Sequence, residues 1–207
     1  MKEIFHEKNV MNILLAMVVA AVFLAPMSVY ADSYALTNAT FSLTNDQKVS
    51  ITYKSGSSTL SENTWATTIK VKLTDDGEAM NGGNWFDAFC VDIYQSIYDR
   101  SYSNTSVSLV APSAVHGGLQ AAWLYNTYYS TTANAATIAG LQVAIWEVIT
   151  DDYSNFNLSG GNFAVTSSNT AIISNANSFL NNLKVNYNPT GLNSMFAIMQ
   201  MVSIRIS

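Results

Sequence analysis

The sequence predicts a single α+β domain whose strands precede its helices along the chain. Between Ala39 and Val110, apolar and polar residues alternate in several short runs, a pattern typical of strands with one buried face. After Pro112 the apolar residues recur every three or four positions, which indicates helices. Strands followed by helices favour the α+β class over a repeating β-α-β fold. With 207 residues, the chain is long enough for one domain with a substantial core.

The N-terminus is typical of an export signal. Lys2 and Lys8 precede an apolar run from Ile13 to Ala25, and Val29-Tyr30-Ala31 offers small residues where a signal peptidase cuts. The apolar run is too short to cross a bilayer comfortably, which disfavours the alternative of a membrane anchor. We therefore expect cleavage after that alanine, with Met11 as an alternative start. The mature chain is expected to be secreted or cell-surface associated and to have no membrane span.

The charge and the cysteine count exclude several classes of protein. The net charge is −5, and cleavage would leave it unchanged because the signal carries two basic and two acidic residues. An acidic domain with few cations is a poor candidate for binding nucleic acid or anionic membrane. The single cysteine, Cys90, excludes an internal disulfide and a cysteine-rich zinc site. We expect no metal and no cofactor, and a thiol that is buried, paired with another chain or used chemically.

The first half of the chain contains five alternating segments. Four of them place one set of residues on a common face: Phe41 and Leu43; Val49, Ile51 and Tyr53; Trp65, Thr67, Ile69, Val71 and Leu73; and Trp85, Phe89, Val91 and Ile93. The fifth runs from Ser106 to Val110. The fourth segment is predicted as one strand from Trp85 to Tyr94. Its opposite face would carry Phe86, Ala88, Cys90, Asp92 and Tyr94.

Three helices are predicted in the second half. The first begins near Gly117-Gly118 and ends among Tyr125 to Tyr129, and the second runs from about Ala135 to Thr150. The third follows the loop Ser159-Gly160-Gly161, and its apolar positions are Ile172, Ile173, Ala176, Phe179, Leu180 and Leu183. A closing strand is expected from Lys184 to Tyr187.

The second helix carries an unusual polar residue. Its apolar stripe consists of Ile138, Leu141, Ile145, Val148 and Ile149. Gln142 and Trp146 lie together along one border of this stripe. A buried carboxamide costs about 1–3 kcal/mol unless its polar atoms find partners. We therefore expect a partner for Gln142, and the sulfur of Cys90 is the predicted one.

Two motifs carry a resemblance to a known family. Phe89-Cys90-Val91-Asp92, followed by Leu141-Gln142-Val143-Ala144-Ile145-Trp146, resembles the thioester domains of bacterial surface adhesins. Exported proteins of Gram-negative bacteria that end in a Pro-Glu-Pro sorting tail are similar to these domains. The resemblance spans about residues 40 to 185 and implies three regions: a signal at 1–31, a thioester-like domain at 32–190, and a tail at 191–207 without a recognisable anchor.

The resemblance implies a fold, a bond and a function. The fold is a β-sandwich or barrel with an inserted helical subdomain that carries the Gln-x-Ala-Ile-Trp helix. Cys90 would supply the sulfur and Gln142 the acyl group of an internal thioester, with Phe89, Asp92 and Trp146 as supporting residues. The implied function is adhesion, in which an amine or hydroxyl of a surface protein or polysaccharide is captured covalently without enzymatic turnover. The chain departs from the family pattern at Leu141, where many adhesin domains have threonine, and it lacks both sorting motifs.

The chemistry of the two side chains is compatible with this bond. A thiolate is a good nucleophile, whereas an amide is a poor acyl donor in water. Fixing the two groups against each other can supply up to about 7–11 kcal/mol of the barrier. Expulsion of ammonia would leave a thioester, which Trp146 and Phe86 are expected to shield.

Two other functions remain open on sequence grounds. Cys90 and His116, with Asp92 or Asp87 as the orienting acid, are the residues that a cysteine hydrolase would have to use. An inert exported structural or matrix-associated domain needs only a buried free cysteine and a glutamine that binds a neighbouring main-chain group. Trp123 and Trp146 are expected to anchor the core rather than to bind ligand.

Overall fold

A computed structural model of the chain describes residues 14–21, 34–75, 78–79, 83–94, 105–151, 155–190, 192 and 196–203. The predicted α+β class is confirmed, because a mixed set of strands and helices is present. The strands are β1 (Leu14–Ala21), β2 (Tyr34–Ser55), β3 (Ser58–Asp75), β4 (Glu78–Ala79), β5 (Phe86–Ala88), β6 (Thr105–Val110), β7 (Phe163–Thr166) and β8 (Phe196–Ser203). The helices are α1 (Gly118–Tyr128), α2 (Ala135–Thr150) and α3 (Thr170–Asn186).

A long antiparallel hairpin, β2–β3, forms the centre of the sheet. Its two strands pair from Asn38↔Thr74 to Ser55↔Ser58, and Gly56 takes a positive φ of 60° in the tight turn between them. The register shifts between Thr44 and Gln47, where β2 carries an extra residue. The sequence predicted two separate segments on either side of this bulge, and they belong to one irregular strand.

The remaining strands pair along both edges of this hairpin. All pairs are antiparallel, and the strands follow the order β1-β8-β6-β2-β3-β4, with β5 also paired to β3 and β7 also paired to β2. Within the described residues the sheet does not close on itself. β1 lies inside the predicted export signal, and the predicted cleavage site lies outside the described residues.

Two details of the strand prediction are wrong. The segment Trp85 to Tyr94 is a strand only over Phe86–Ala88, because the chain then turns toward the helices. The expected closing strand at Lys184 to Tyr187 is instead the last turn of α3 and its C-cap, where the N–H of the cap residue bonds to Leu183 O at 3.0 Å. The strand that pairs at the C-terminal end is β8.

Helix α2 packs on one face of the sheet, α1 and α3 pack against α2, and together they form the main core. α1 and α2 have almost the predicted bounds. Asn134 caps α2 by accepting a hydrogen bond from Thr137 N at 2.9 Å, and Asn169 caps α3 through Ala171 N at 3.2 Å. Every residue of α2 from Ile138 to Val148 is buried, so this helix lies at the centre of the core.

The sheet also buries side chains on its other face. In register, Ile69 pairs with Ala88 and Val71 with Phe86, and all four side chains are buried. Because side chains alternate along a strand, they lie opposite to Ala66, which belongs to the core under the helices. The sheet is therefore apolar on both faces near β5.

Candidate functional site

Cys90 and Gln142 meet at the boundary between the sheet and α2, although 52 residues separate them. The main-chain N–H of Cys90 donates to Gln142 Oε1 at 2.8 Å, and Gln142 Nε2 donates to Cys90 O at 2.8 Å. The glutamine side chain has 0 % exposure. Its carboxamide is thus held by a reciprocal pair of hydrogen bonds, which offsets the cost of burying it. The partner residue is the predicted one, but these bonds go to its main chain, whereas we expected the sulfur.

The local sequence explains how Cys90 reaches the helix. β5 ends at Ala88, and the next side chain, Phe89, enters the helical core with 0 % exposure. Its ring contacts Tyr125 and Tyr129 edge to face, with centroids 5.7 Å apart in each case. Burial of two further side chains, Val91 and Ile93, anchors the segment on the other side of Cys90. The cysteine is therefore fixed between buried neighbours.

The thiol of Cys90 is neutral at physiological pH. Its Sγ donates to Asp92 O at 3.0 Å, and the residue is only partly exposed. Burial raises the pKa of the thiol to about 11. The hydrogen bond to Asp92 O opposes this effect, the negative charge of Asp92 adds to it by a smaller amount, and the Trp146 indole N–H lowers the pKa least. The raised pKa favours the thiol over the thiolate, which is the more nucleophilic form.

Trp146 lies one helical turn after Gln142 and beside the sulfur. Its side chain is 4 % exposed, and its ring centroid is 6.3 Å from that of Phe163. Within the described part of the chain, its buried Nε1 makes no hydrogen bond of normal geometry. The indole N–H is the smallest of the influences on the pKa of the Cys90 thiol, which it lowers, so it lies near the sulfur. Trp146 thus fills the core, and the shielding of the sulfur by its ring stays a prediction.

Asp92 lies on the solvent side of the site. Its Oδ1 accepts a hydrogen bond from Tyr94 N at 2.8 Å, and burial raises the pKa of its carboxyl. Phe86 does not shield the site, contrary to the prediction, because it pairs with Val71 on the other face of the sheet. The predicted strand Trp85 to Tyr94 would have put Phe86 and Cys90 on one face, and the early end of β5 separates them.

Of the residues that a cysteine hydrolase would use with Cys90, Asp92 lies beside the thiol, but His116 and Asp87 do not. His116 is exposed, and its Nδ1 lies 3.0 Å from Ile149 O. Ile149 is seven residues after Gln142 on α2, so His116 lies about 10 Å along the helix from Gln142. Asp87 forms an ion pair with Lys70. Within the described residues, Asp92 is thus the acidic residue that lies beside the sulfur, and His116 and Asp87 bond elsewhere.

One buried ionisable residue in this helix was missed from the sequence. Glu147 has 0 % exposure; its Oε1 accepts a hydrogen bond from Asn157 N, and its Oε2 has no partner among the described residues. Burial raises the pKa of its carboxyl to about 7, with a smaller effect of Asp151 in the same direction. The available signal was an acidic residue inside a continuous apolar run, from Leu141 to Ile149.

Comparisons with other proteins leave the resemblance as an expectation. No protein-family model, curated protein sequence or solved structure matches this chain. No helix in the described ranges is long and apolar enough to cross a bilayer. Among the side chains that the structure describes, no group of three or more histidines, cysteines and acids is placed to bind a metal ion.

Proposed function

We propose that this chain is an exported bacterial surface or matrix adhesion domain in which Cys90 and Gln142 form an internal thioester. The observation that carries the proposal is the pair of 2.8 Å hydrogen bonds that fix a fully buried carboxamide against the cysteine residue. Cδ of Gln142 carries both of the bonded side-chain atoms, and Sγ of Cys90 is three bonds from the main-chain N of the same residue, so the reacting groups belong to two residues that are already held in contact. Such positioning is the main requirement for a reaction between a thiol and an unactivated amide.

The geometry also supports the bond-forming step. Sγ of Cys90 attacks Cδ of Gln142, the negative charge develops on Oε1, and the N–H of Cys90 already donates to this oxygen. The C–N bond then breaks, and Nε2 leaves as ammonia with the proton that the thiol gives up. Because the pKa of the thiol is about 11, this proton remains on sulfur until the attack. The products are one thioester and one ammonia.

Capture of a ligand breaks the thioester, with Gln142 as the acyl donor and Cys90 as the leaving group. A primary amine of a surface protein, or an amine or hydroxyl of a polysaccharide, attacks Cδ; the C–S bond breaks, and the proton of the nucleophile passes to sulfur. The ligand ends on an amide or ester at position 142, and Cys90 regains its thiol. The reaction occurs once per chain, so the protein is not an enzyme. Trp146, which is buried beside the sulfur, limits the access of water.

A second candidate is an inert exported structural domain. One specific observation favours it: both polar atoms of the Gln142 carboxamide are already satisfied by the Cys90 main chain. In that case the glutamine acts as a structural link between α2 and the segment after β5. The finer expectation of a β-sandwich or barrel also stays a proposal, supported by the buried group of Ile69 and Val71 on the face of the sheet opposite the helices.

Treatment with methylamine tests the proposed function. The wild-type domain is expected to react slowly with thiol reagents until methylamine is added, because the sulfur is part of the thioester. Peptide mapping should then place a methylamide on residue 142 and a free thiol on residue 90. A Cys90→Ala variant is the control and should incorporate no amine. Equal incorporation in both proteins, or none in either, would favour the inert domain.

A further inference from the structure

The face of the sheet turned away from the helices carries a shallow groove over β2. Val49, Ile51 and Tyr53 point into the helical core, so the alternate residues of this strand point outward. The neighbouring strands β3 and β7 supply the two walls. Three rows cross the sheet: Ala164–Thr52–Ser61, Thr166–Ser50–Asn63, and Lys48 beside Trp65.

The groove is continuous over about five residues of β2. Two adjoining depressions of about 220 and 420 Å³ share Ser50, Asn63 and Thr166. The first extends toward Thr52, and the second extends past the end of β7 to the serines that follow it. At about 3.3 Å per residue, its floor is roughly 13 Å long from Lys48 to Thr52. This length suits several units of a linear polymer.

The polar atoms of the groove are fixed by hydrogen bonds between the strands. Ser50 Oγ donates to Asn63 Oδ1 at 2.6 Å, and Thr52 Oγ1 lies 2.9 Å from Ser61 Oγ. These pairs orient hydroxyl and carboxamide groups without burying them. A ligand with many hydroxyl groups would therefore meet preorganised donors and acceptors.

An aromatic side chain lies at the Lys48 end of the groove. Trp65 is 43 % exposed on the outward face of β3, and Lys48 Nζ lies 4.9 Å from the centroid of its ring. The cation holds the indole against the sheet while much of the ring stays accessible. A flat apolar surface next to polar groups is suited to a ligand with both C–H faces and hydroxyl edges.

The chemistry of the lining selects among classes of ligand. Among the lining residues, Lys48 is the one charged side chain on this face, because Glu62 pairs with Ile51 and points to the opposite face; a single cation disfavours nucleic acid and other polyanions. Both edges of β2 are paired here, with β3 and β7, so an extended peptide has no free main-chain edge to join on the floor. We propose that this groove binds a neutral polysaccharide, with Trp65 as the stacking platform and Ser50, Thr52 and Asn63 as hydrogen-bonding groups. The site is independent of the Cys90–Gln142 proposal.

Affinity electrophoresis tests the proposal with four soluble neutral polysaccharides: an α-glucan, a β-glucan, a mannan and a xylan. The full chain is expected to be retarded by at least one of them. Trp65→Ala and Asn63→Ala should each weaken that binding about tenfold or more, because each removes a direct contact. Trp85→Ala is the matched control, since Trp85 has a similar exposure of 45 % outside the groove, and it should change the affinity less than twofold. Circular dichroism of each variant verifies the fold.

The outcomes separate this proposal from its competitors. Retardation by none of the four polysaccharides, or only by an anionic polymer such as polygalacturonate, would overturn it. So would equal effects of Trp65→Ala and Trp85→Ala. The Cys90→Ala variant should bind the polysaccharide as tightly as the wild type. A negative result for the thioester would therefore leave the groove proposal intact, and a negative result for the groove would leave the thioester proposal intact.

Discussion

Replacing Gln142 with alanine is expected to lower the free energy of unfolding by about 3–7 kcal/mol. The substitution leaves the N–H of Cys90 without its acceptor, Gln142 Oε1, at about 1–3 kcal/mol for a buried polar group. It also removes the thioester, a cross-link that should stabilise the fold by about 2–4 kcal/mol if it behaves like a disulfide. Urea unfolding of the purified protein, followed by tryptophan fluorescence, measures the loss.

Cys90→Ala separates the two contributions. This variant keeps the main-chain groups of residue 90, and with them both hydrogen bonds to Gln142, but it lacks the sulfur. It is therefore expected to lose only the cross-link, about 2–4 kcal/mol. The double variant should be no less stable than Gln142→Ala, because both substitutions break the same bond. Additive losses, with a cost for Cys90→Ala near 1 kcal/mol, would indicate a free thiol.

Glu147 is expected to make the stability fall as the pH rises from about 4.5 to 7. The folded protein holds the carboxyl proton with a pKa of about 7, against an ordinary value of 4.5, because the side chain is buried. The folded state therefore binds the proton more tightly, and this stabilisation is fully present below pH 4.5 and is lost as the pH rises through 7. The change amounts to about 3 kcal/mol for a shift of this size. Unfolding midpoints measured between pH 4 and 8 test it.

Glu147→Gln isolates this effect from other titrating groups. The glutamine retains an oxygen for Asn157 N and has no charge to bury. The difference in stability between the variant and the wild type should therefore grow in favour of the variant as the pH rises from 5 to 8. Parallel pH profiles for the two proteins would contradict the assignment of the raised pKa to Glu147.

The helices were the most predictable part of the fold. The apolar spacing of α2 and its cap at Asn134 are local properties, and the observed bounds agree with the predicted ones. β7 was missed because four residues from Phe163 to Thr166 are too short to show a period, and their strand conformation depends on pairing with distant β2. The length of β5 was overestimated for a similar reason: its end at Ala88 depends on burial of Phe89 under α1.

The site was predictable as a pair of residues but not as a set of contacts. The position of Gln142 on an apolar helix required a partner, and Cys90 is that partner. Which atoms of Cys90 would meet it depends on the turn of the chain after β5, which no local pattern encodes. Burial of Glu147 was equally hidden, because it requires the whole circumference of α2 to be covered by the sheet and the other helices.

Intact-mass spectrometry of freshly purified wild-type protein tests the thioester most directly. The bond forms with loss of one ammonia, so the measured mass should be lower than the mass calculated from the mature sequence by that amount. The Cys90→Ala and Gln142→Ala variants should each have their full calculated mass. A wild-type protein with its full calculated mass would contradict the thioester and leave Cys90 as a buried free thiol.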